Sequence, residues 1–263
     1  MSLSGGLSAG LVCQLSAALG GGGAVAAPWN PGDMTGLAAT LLPAESRAAG
    51  LLWQNTAKTV PATADGDPVR VAVCPYTAVE FTAPSDAARP LLWDEGGGKW
   101  SLSFDGVDDN LTYTGSAGNP SASGLAVLWW GQSAINTVLP FSRFGGAAPQ
   151  WYLRRQATYF FTAVTATGNY ISSPGVSQAL NSDACFIGQY DRSAVSLQKD
   201  RGTPVETAET RDWWFNPSAE TVAFASTSSG FSRFSGRTRA AVLVSATIPP
   251  ADRTLLLDYL GVP

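Results

Sequence analysis

Asp105, Asp108 and Asp109 crowd around Gly106 in the stretch Ser101–Gly115, SLSFDGVDDNLTYTG. Clustered carboxylates suit a hard cation such as Ca²⁺, which takes carboxylate and carbonyl oxygens. Calcium loops, however, space their ligands at alternate positions and recruit further oxygens, and the sequence identifies none of these. The same residues also suit a tight turn, in which Asp side chains accept nearby backbone amides and glycine takes a conformation other residues resist. The turn is the preferred reading, with Ca²⁺ the alternative, and no other cofactor is expected.

Other catalytic chemistry is restricted by composition. The chain has no histidine, which removes Ser-His-Asp and Cys-His nucleophiles and His-dependent zinc. Three dispersed cysteines, Cys13, Cys74 and Cys185, read as unpaired thiols, or as one disulfide and a leftover thiol. Glycoside hydrolysis needs only two carboxylates. The nearest acid pairs are Asp94 with Glu95 and Glu206 with Glu209, and neighbours along a strand point to opposite faces. An enzyme is therefore not expected. Sugar binding needs less, because Trp and Tyr rings stack on sugar faces while polar neighbours bond the hydroxyls. RDWWFNP offers Arg211, Asp212, Trp213 and Trp214, and WYLRR offers Trp151 and Tyr152. The competing reading for all of these is core packing or subunit contact, and it is stronger for Trp129 and Trp130 in the apolar run GLAVLWWG.

Such residues need a scaffold, and the composition is that of strands joined by turns: 45% apolar, 14% charged, with 28 Gly, 17 Pro and nine Trp in 263 residues. From Leu91 onward, segments such as KWSLSF, NLTYT, WYLRRQATYFFTAV and ETVAFAST alternate with period two between turn residues. A sandwich or barrel follows. Near the end, ATIPPADRTLLLDYLG predicts one helix, capped by Thr247, with Leu255, Leu256, Tyr259 and Leu260 on its apolar stripe and Gly261 closing it. The domain boundaries expected are an apolar segment with a Gly-rich joint (1–28), a loop-rich arm with short strands (29–90) and the sandwich (91–263).

In the first segment Leu7, Leu11, Leu15 and Leu19 recur every four residues without a charge. That stripe suits attachment to a partner, or equally packing on its own domain. The first basic residue anywhere in the chain is Arg47, so a secretory signal is not expected. The net charge of −4 argues against nucleic acid. The basic residues Arg233, Arg237 and Arg239 read as solubility and rim contacts, and no membrane insertion is expected.

With the strands placed, LSFDGVDDNLTYTG, ACFIGQYDRSAVSLQKDRG and FSGRTRAAVLVSATIPPADRTLLLDYL resemble, in that order, the concanavalin A-like lectin/glucanase superfamily in its laminin G-like and pentraxin-like branch. The resemblance covers roughly the last 170 residues and implies an all-β jelly-roll sandwich with one C-terminal helix. It also implies acids in E-x-D-x-x-E or E-x-D-x-E spacing for a glucanase, and that spacing does not occur here. A narrower pattern resembles bacteriophage and prophage virion proteins through Trp29, Pro31, Asp33, Pro61, Asp65, Gly66, Pro68, Val69, Arg89, Pro90, Phe104 and Gly106; CPYTAVEFTA departs from it.

The role these resemblances imply is a non-enzymatic virion protein, a head decoration or tail fibre made in the host cytoplasm. It would be oligomeric with other virion proteins and would display a lectin-like domain to host-surface polysaccharide. The alternatives are a purely structural decoration or connector, and a carbohydrate-degrading enzyme.

Overall fold

The alternating segments become strands in a computed structural model, which describes residues 29–115, 124–136, 138–145, 148–164, 170–209, 220–224 and 234–263. In chain order the first elements are β1 (Leu37–Leu41), α1 (Pro43–Ala48), β2 (Leu52–Trp53), β3 (Val71–Val73), β4 (Glu80–Thr82), β5 (Leu91–Gly96), β6 (Lys99–Asp105), β7 (Leu111–Gly115) and β8 (Leu125–Ser133). There follow β9 (Val138–Gly145), β10 (Ala148–Arg155), β11 (Thr158–Val164), β12 (Tyr170–Ser172), β13 (Val176–Ser177), β14 (Ala184–Tyr190), β15 (Ala194–Lys199), β16 (Val205–Ala208), β17 (Glu220–Phe224), β18 (Ser235–Val244) and α2 (Pro250–Leu260).

These make a two-sheet antiparallel jelly-roll sandwich. The first sheet runs β16-β15-β14-β8-β18-β6-β5, with β1 also on β18. The second runs β12-β11-β10-β9-β17-β7-β4-β3-β2, with β13 on β11. Their inner faces enclose one aromatic core. Trp129 stacks with Tyr159 at 5.7 Å and Phe186 at 6.3 Å, meets Phe234 edge-on at 5.8 Å, and donates its indole N–H to Thr238 Oγ1 at 3.0 Å.

β8 is apolar from Leu125 to Trp130 because both of its faces are covered there. Leu125, Val127 and Trp129 face the inter-sheet core, whereas Ala126, Leu128 and Trp130 pack outward with Leu256 and Leu257 of α2. The helix closes as expected, on Gly261 in the left-handed conformation at φ 70°. Two details of it differ from expectation. Its N-cap is Pro249, with no side-chain cap from Thr247, and Leu255 is exposed while Leu257 takes the buried position. The reason is rotational, since burying Leu256 and Leu257 together turns Leu255 to solvent.

The division at residue 90 does not survive. β1 pairs with β18 inside the first sheet, and β2, β3 and β4 extend the second. Residues 29–90 are thus part of the sandwich, and several anchors of the virion-like pattern do structural work in it. Asp33 accepts the amide of Asn30 and the Asn30 side chain that of Gly32 across a single turn, beside which Trp29 stands edge-on to Tyr259 at 6.1 Å. Asp67 accepts the amides of Thr63 and Ala64, both at 2.8 Å, and Asp65 accepts that of Asp94 at 2.9 Å. Cys74 and Cys185 are buried free thiols, and Cys74 bonds Thr40. Cys13, the leucine stripe of residues 7–19 and the attachment segment 1–28 lie outside the described residues.

Candidate functional site

The aspartate cluster is a corner at which the chain leaves the first sheet at β6 and enters the second at β7. Asp105 Oδ1 accepts the amide of Val107 at 2.7 Å and, more loosely, those of Asp108 and Asp109 at 3.3 and 3.5 Å. Asp109 Oδ2 returns the bond by accepting the Asp105 amide at 2.8 Å. Gly106 sits at φ +79°, and a Cβ there would come within 2.7 Å of the Ser235 side chain, so the corner needs glycine on both counts. The three side chains lie within 4.8 Å of one another. One oxygen of Asp105 and one of Asp109 are engaged by the corner's own amides.

Burial, together with the charges of Asp105 and Asp108, pushes the Asp109 carboxyl up from 3.8 to about 7, against the opposing bond from the Asp105 amide. The folded protein therefore holds an extra proton between those values, and the stability associated with it is lost as pH rises through that window. Asp109→Asn keeps the acceptor and removes the charge. The variant is expected to match the wild type at pH 4 and to exceed it at pH 8 by about 1 kcal/mol. Thermal melts across this range measure the difference, and parallel curves would contradict it.

The aromatic candidates separate. Trp151 is fully buried in the core, edge-on to Phe141 at 5.1 Å, and is not a sugar platform. Period-two alternation is the cause: Trp151, Leu153 and Arg155 point inward, and Tyr152 points out. Tyr152 lies 6.3 Å from the exposed Tyr170 on the outer face of the second sheet, packed on Ala223. Arg211, Asp212, Trp213 and Trp214 lie outside the described residues.

A concavity among the described residues lies elsewhere, on the outer face of the first sheet. One edge of β18 pairs with β6 over Ser235–Thr238 and then with β1 over Ala241–Val244. Arg239 falls at the seam. It is also the extra residue of a bulge, because Thr238 opposes Gly131 while Ala240 opposes Trp130 on β8. Bulges re-aim side chains, and this one moves the strand from Thr238, which bonds Trp129 of the core, to Ala240 on the outer face.

The pocket formed there has a volume of about 120 Å³, and its lining includes Glu45, Lys99, Trp100, Trp130, Arg239 and Tyr259. That is room for a small ring or several waters. α1 supplies Glu45, the start of β6 supplies Lys99 and Trp100, and α2 supplies Tyr259.

Its polar groups are held from behind. Arg239 pairs with Glu95 through Nε and with Asp183 through Nη1 at 2.8 Å, and its guanidinium lies 5.2 Å from the Trp130 ring centre. Arg47 covers Trp100 at 3.9 Å. The Tyr76 and Tyr259 hydroxyls share a hydrogen bond at 2.8 Å beside Glu45. Burial raises Glu45 above its usual range, partly offset by a backbone bond and by Tyr259, and burial raises Tyr259 as well. The pocket thus combines two indole walls with a carboxyl, a phenol and two cations, a set that can both donate to and accept from hydroxyl groups.

Sequence reasoning missed this site because its residues come from positions 45, 99, 100, 130, 239 and 259, with no local spacing. Its one available signal was the pair Arg237 and Arg239 next to strand residues.

Neither a family model nor a curated protein matches the chain. Solved structures share the fold at low identity. Domain 4 of AbnA, a GH43 extracellular arabinanase from Geobacillus stearothermophilus, in complex with arabinotriose, aligns at TM-score 0.53 and 12% identity, covering 84% of this chain and 98% of that one. The binding domain of Paraclostridial Mosquitocidal Protein 1 gives 0.55 and 8%, covering 74% and 50%. Trypanosoma rangeli sialidase in complex with the inhibitor DANA gives 0.51 and 10%, covering 82% and 37%. The chain spans about half the length of the botulinum neurotoxin binding domains it also matches. At these identities the likeness is one of fold.

Proposed function

We propose that the chain is a non-enzymatic glycan-binding module of a tailed-phage particle, displayed to host-surface polysaccharide. The observation that carries the binding role is the pocket at the β18 seam, where Trp100 and Trp130 wall a space edged by Glu45, Tyr259, Lys99 and Arg239. Sugar rings are recognised by aromatic faces with hydroxyl partners around them. The non-enzymatic part is supported by the same lining, which holds one carboxyl, Glu45, where glycoside hydrolysis uses two. Arabinotriose on the AbnA domain accords with sugar binding on this architecture.

The virion part rests on the sequence pattern around Trp29, Asp33, Asp65, Gly66, Arg89 and Phe104 and on the uncharged leucine stripe of residues 7–19. A shallow single-sugar site binds weakly, and many copies on one particle supply the avidity. Deletion of residues 1–23 is expected to leave a folded sandwich that still binds glycan and no longer joins particles. Co-purification with particles measures this, and undiminished incorporation would overturn the attachment role.

A further inference from the structure

Beside the pocket, the outer face of the first sheet carries a second arrangement of side chains. Trp93 on the edge strand β5 is 36% exposed, and the Arg237 guanidinium lies 4.3 Å from its ring centre. With the Gln132 amide turned to satisfy both of its ends, its oxygen accepts Arg237 Nε at 3.3 Å and its nitrogen donates to the Asn181 carbonyl at 3.0 Å. A guanidinium resting on an indole and anchored at Nε keeps two terminal nitrogens as a fork, the group that takes a carboxylate bidentately.

The neighbouring charges favour that use. Glu95 and Asp183 are both committed to Arg239. Among the described residues no carboxylate pairs with Arg237 or with Lys99, which is exposed on the pocket wall. The two positions also adjoin. Trp93 and Glu95 lie two residues apart on β5, and Glu95 reaches Arg239 of the pocket, so the fork and the pocket are neighbours on this face. Adjacent units of one glycan reach two such neighbours.

We propose that the glycan taken by this face is acidic, with the carboxylate of a uronic or sialic acid unit on the Arg237–Trp93 fork and a neighbouring ring or side arm in the Trp100–Trp130 pocket. This rests on the glycan-binding reading of the pocket and adds the chemical class of ligand.

The experiment is a binding titration of the full chain on arrayed uronate- and sialate-terminated oligosaccharides beside the same glycans with their carboxyl groups reduced to alcohols. It is run at two salt concentrations, for the wild type and for Arg237→Lys and Trp93→Ala. An acidic glycan is expected to bind about tenfold better than its reduced counterpart, the worth of one charge-assisted pair. Salt should narrow that difference. Arg237→Lys keeps the charge and loses the fork, so it should lower affinity for the acidic glycan alone, with an unchanged melting transition.

Equal binding of acidic and reduced glycans, or an Arg237→Lys variant that discriminates as well as the wild type, would overturn the acidic ligand and leave the pocket's sugar role intact. No binding of either form at high valency would overturn both.

Discussion

Trp129→Ala is expected to cost about 3–5 kcal/mol, the largest single loss in the chain. The indole is fully buried between the sheets and touches three rings, Tyr159, Phe186 and Phe234, contributed by β11, by β14 and by the residue just before β18. Its removal leaves a cavity that three rigid aromatics from separate elements cannot close by small shifts. The indole N–H also satisfies Thr238, the last inward residue before the bulge. Trp129→Phe isolates that part: it keeps most of the volume, leaves the Thr238 hydroxyl without its donor, and should cost about 1 kcal/mol. Denaturant unfolding of both variants measures the two losses. A Trp129→Ala variant within about 1 kcal/mol of the wild type would contradict the core as described.

Arg239→Ala is the second large effect, and it acts on stability and binding together. The Glu95 side chain is 6% exposed and depends on Arg239 for its pairing, and its Oε1 is buried without another partner. Removing one member of a buried pair leaves the other charge uncompensated. Because Arg239 is 20% exposed and Asp183 38%, water recovers part of that energy, and a loss of roughly 2–3 kcal/mol is expected. Adding Glu95→Gln to Arg239→Ala should restore about half of it, because the orphaned charge is gone. Glycan binding should not return in the double variant, since the guanidinium over Trp130 is still missing. Stability rescued without binding separates the residue's two roles. A double variant no more stable than Arg239→Ala would show that Glu95 is not the group left stranded.

Much of the sandwich was legible in the sequence because strands are written locally. Alternation placed the strands after Leu91, Gly261 marked the end of the terminal helix, and Asp105 with Gly106 and Asp109 marked a corner. Non-local pairing was not legible. The arm of residues 29–90 looked loop-rich because its strands are two to five residues long, and they gain stability only from partners far along the chain, as β1 does from β18. Trp151 looked like a ligand platform because a single strand does not say which of its faces will be covered. The pocket was illegible for the same reason. Glu45, Trp100, Trp130, Arg239 and Tyr259 meet only because β18 exchanges one neighbour for another and carries a bulge at the exchange, and register is not visible in one strand's sequence.

That geometry also places the pocket's acid where it is useful for binding. Glu45 is half-buried and lines the pocket beside Tyr259, whose hydroxyl is held by Tyr76. Preorganised partners reduce the cost of ordering on binding. Tyr76 and Tyr259 belong to segments almost two hundred residues apart, and their bond ties α2 to the loop before β4, one wall of the site to its frame.

The most direct measurement is saturation-transfer NMR of the full chain with host-surface oligosaccharides, comparing the wild type with the Glu45→Gln, Tyr259→Phe double variant at matched melting temperature. Sugar protons should receive saturation from the wild type, strongest on the face that meets Trp100 and Trp130, and should receive almost none from the variant. Equal transfer from both proteins, or none from the wild type, would contradict the pocket at the β18 seam as the sugar site.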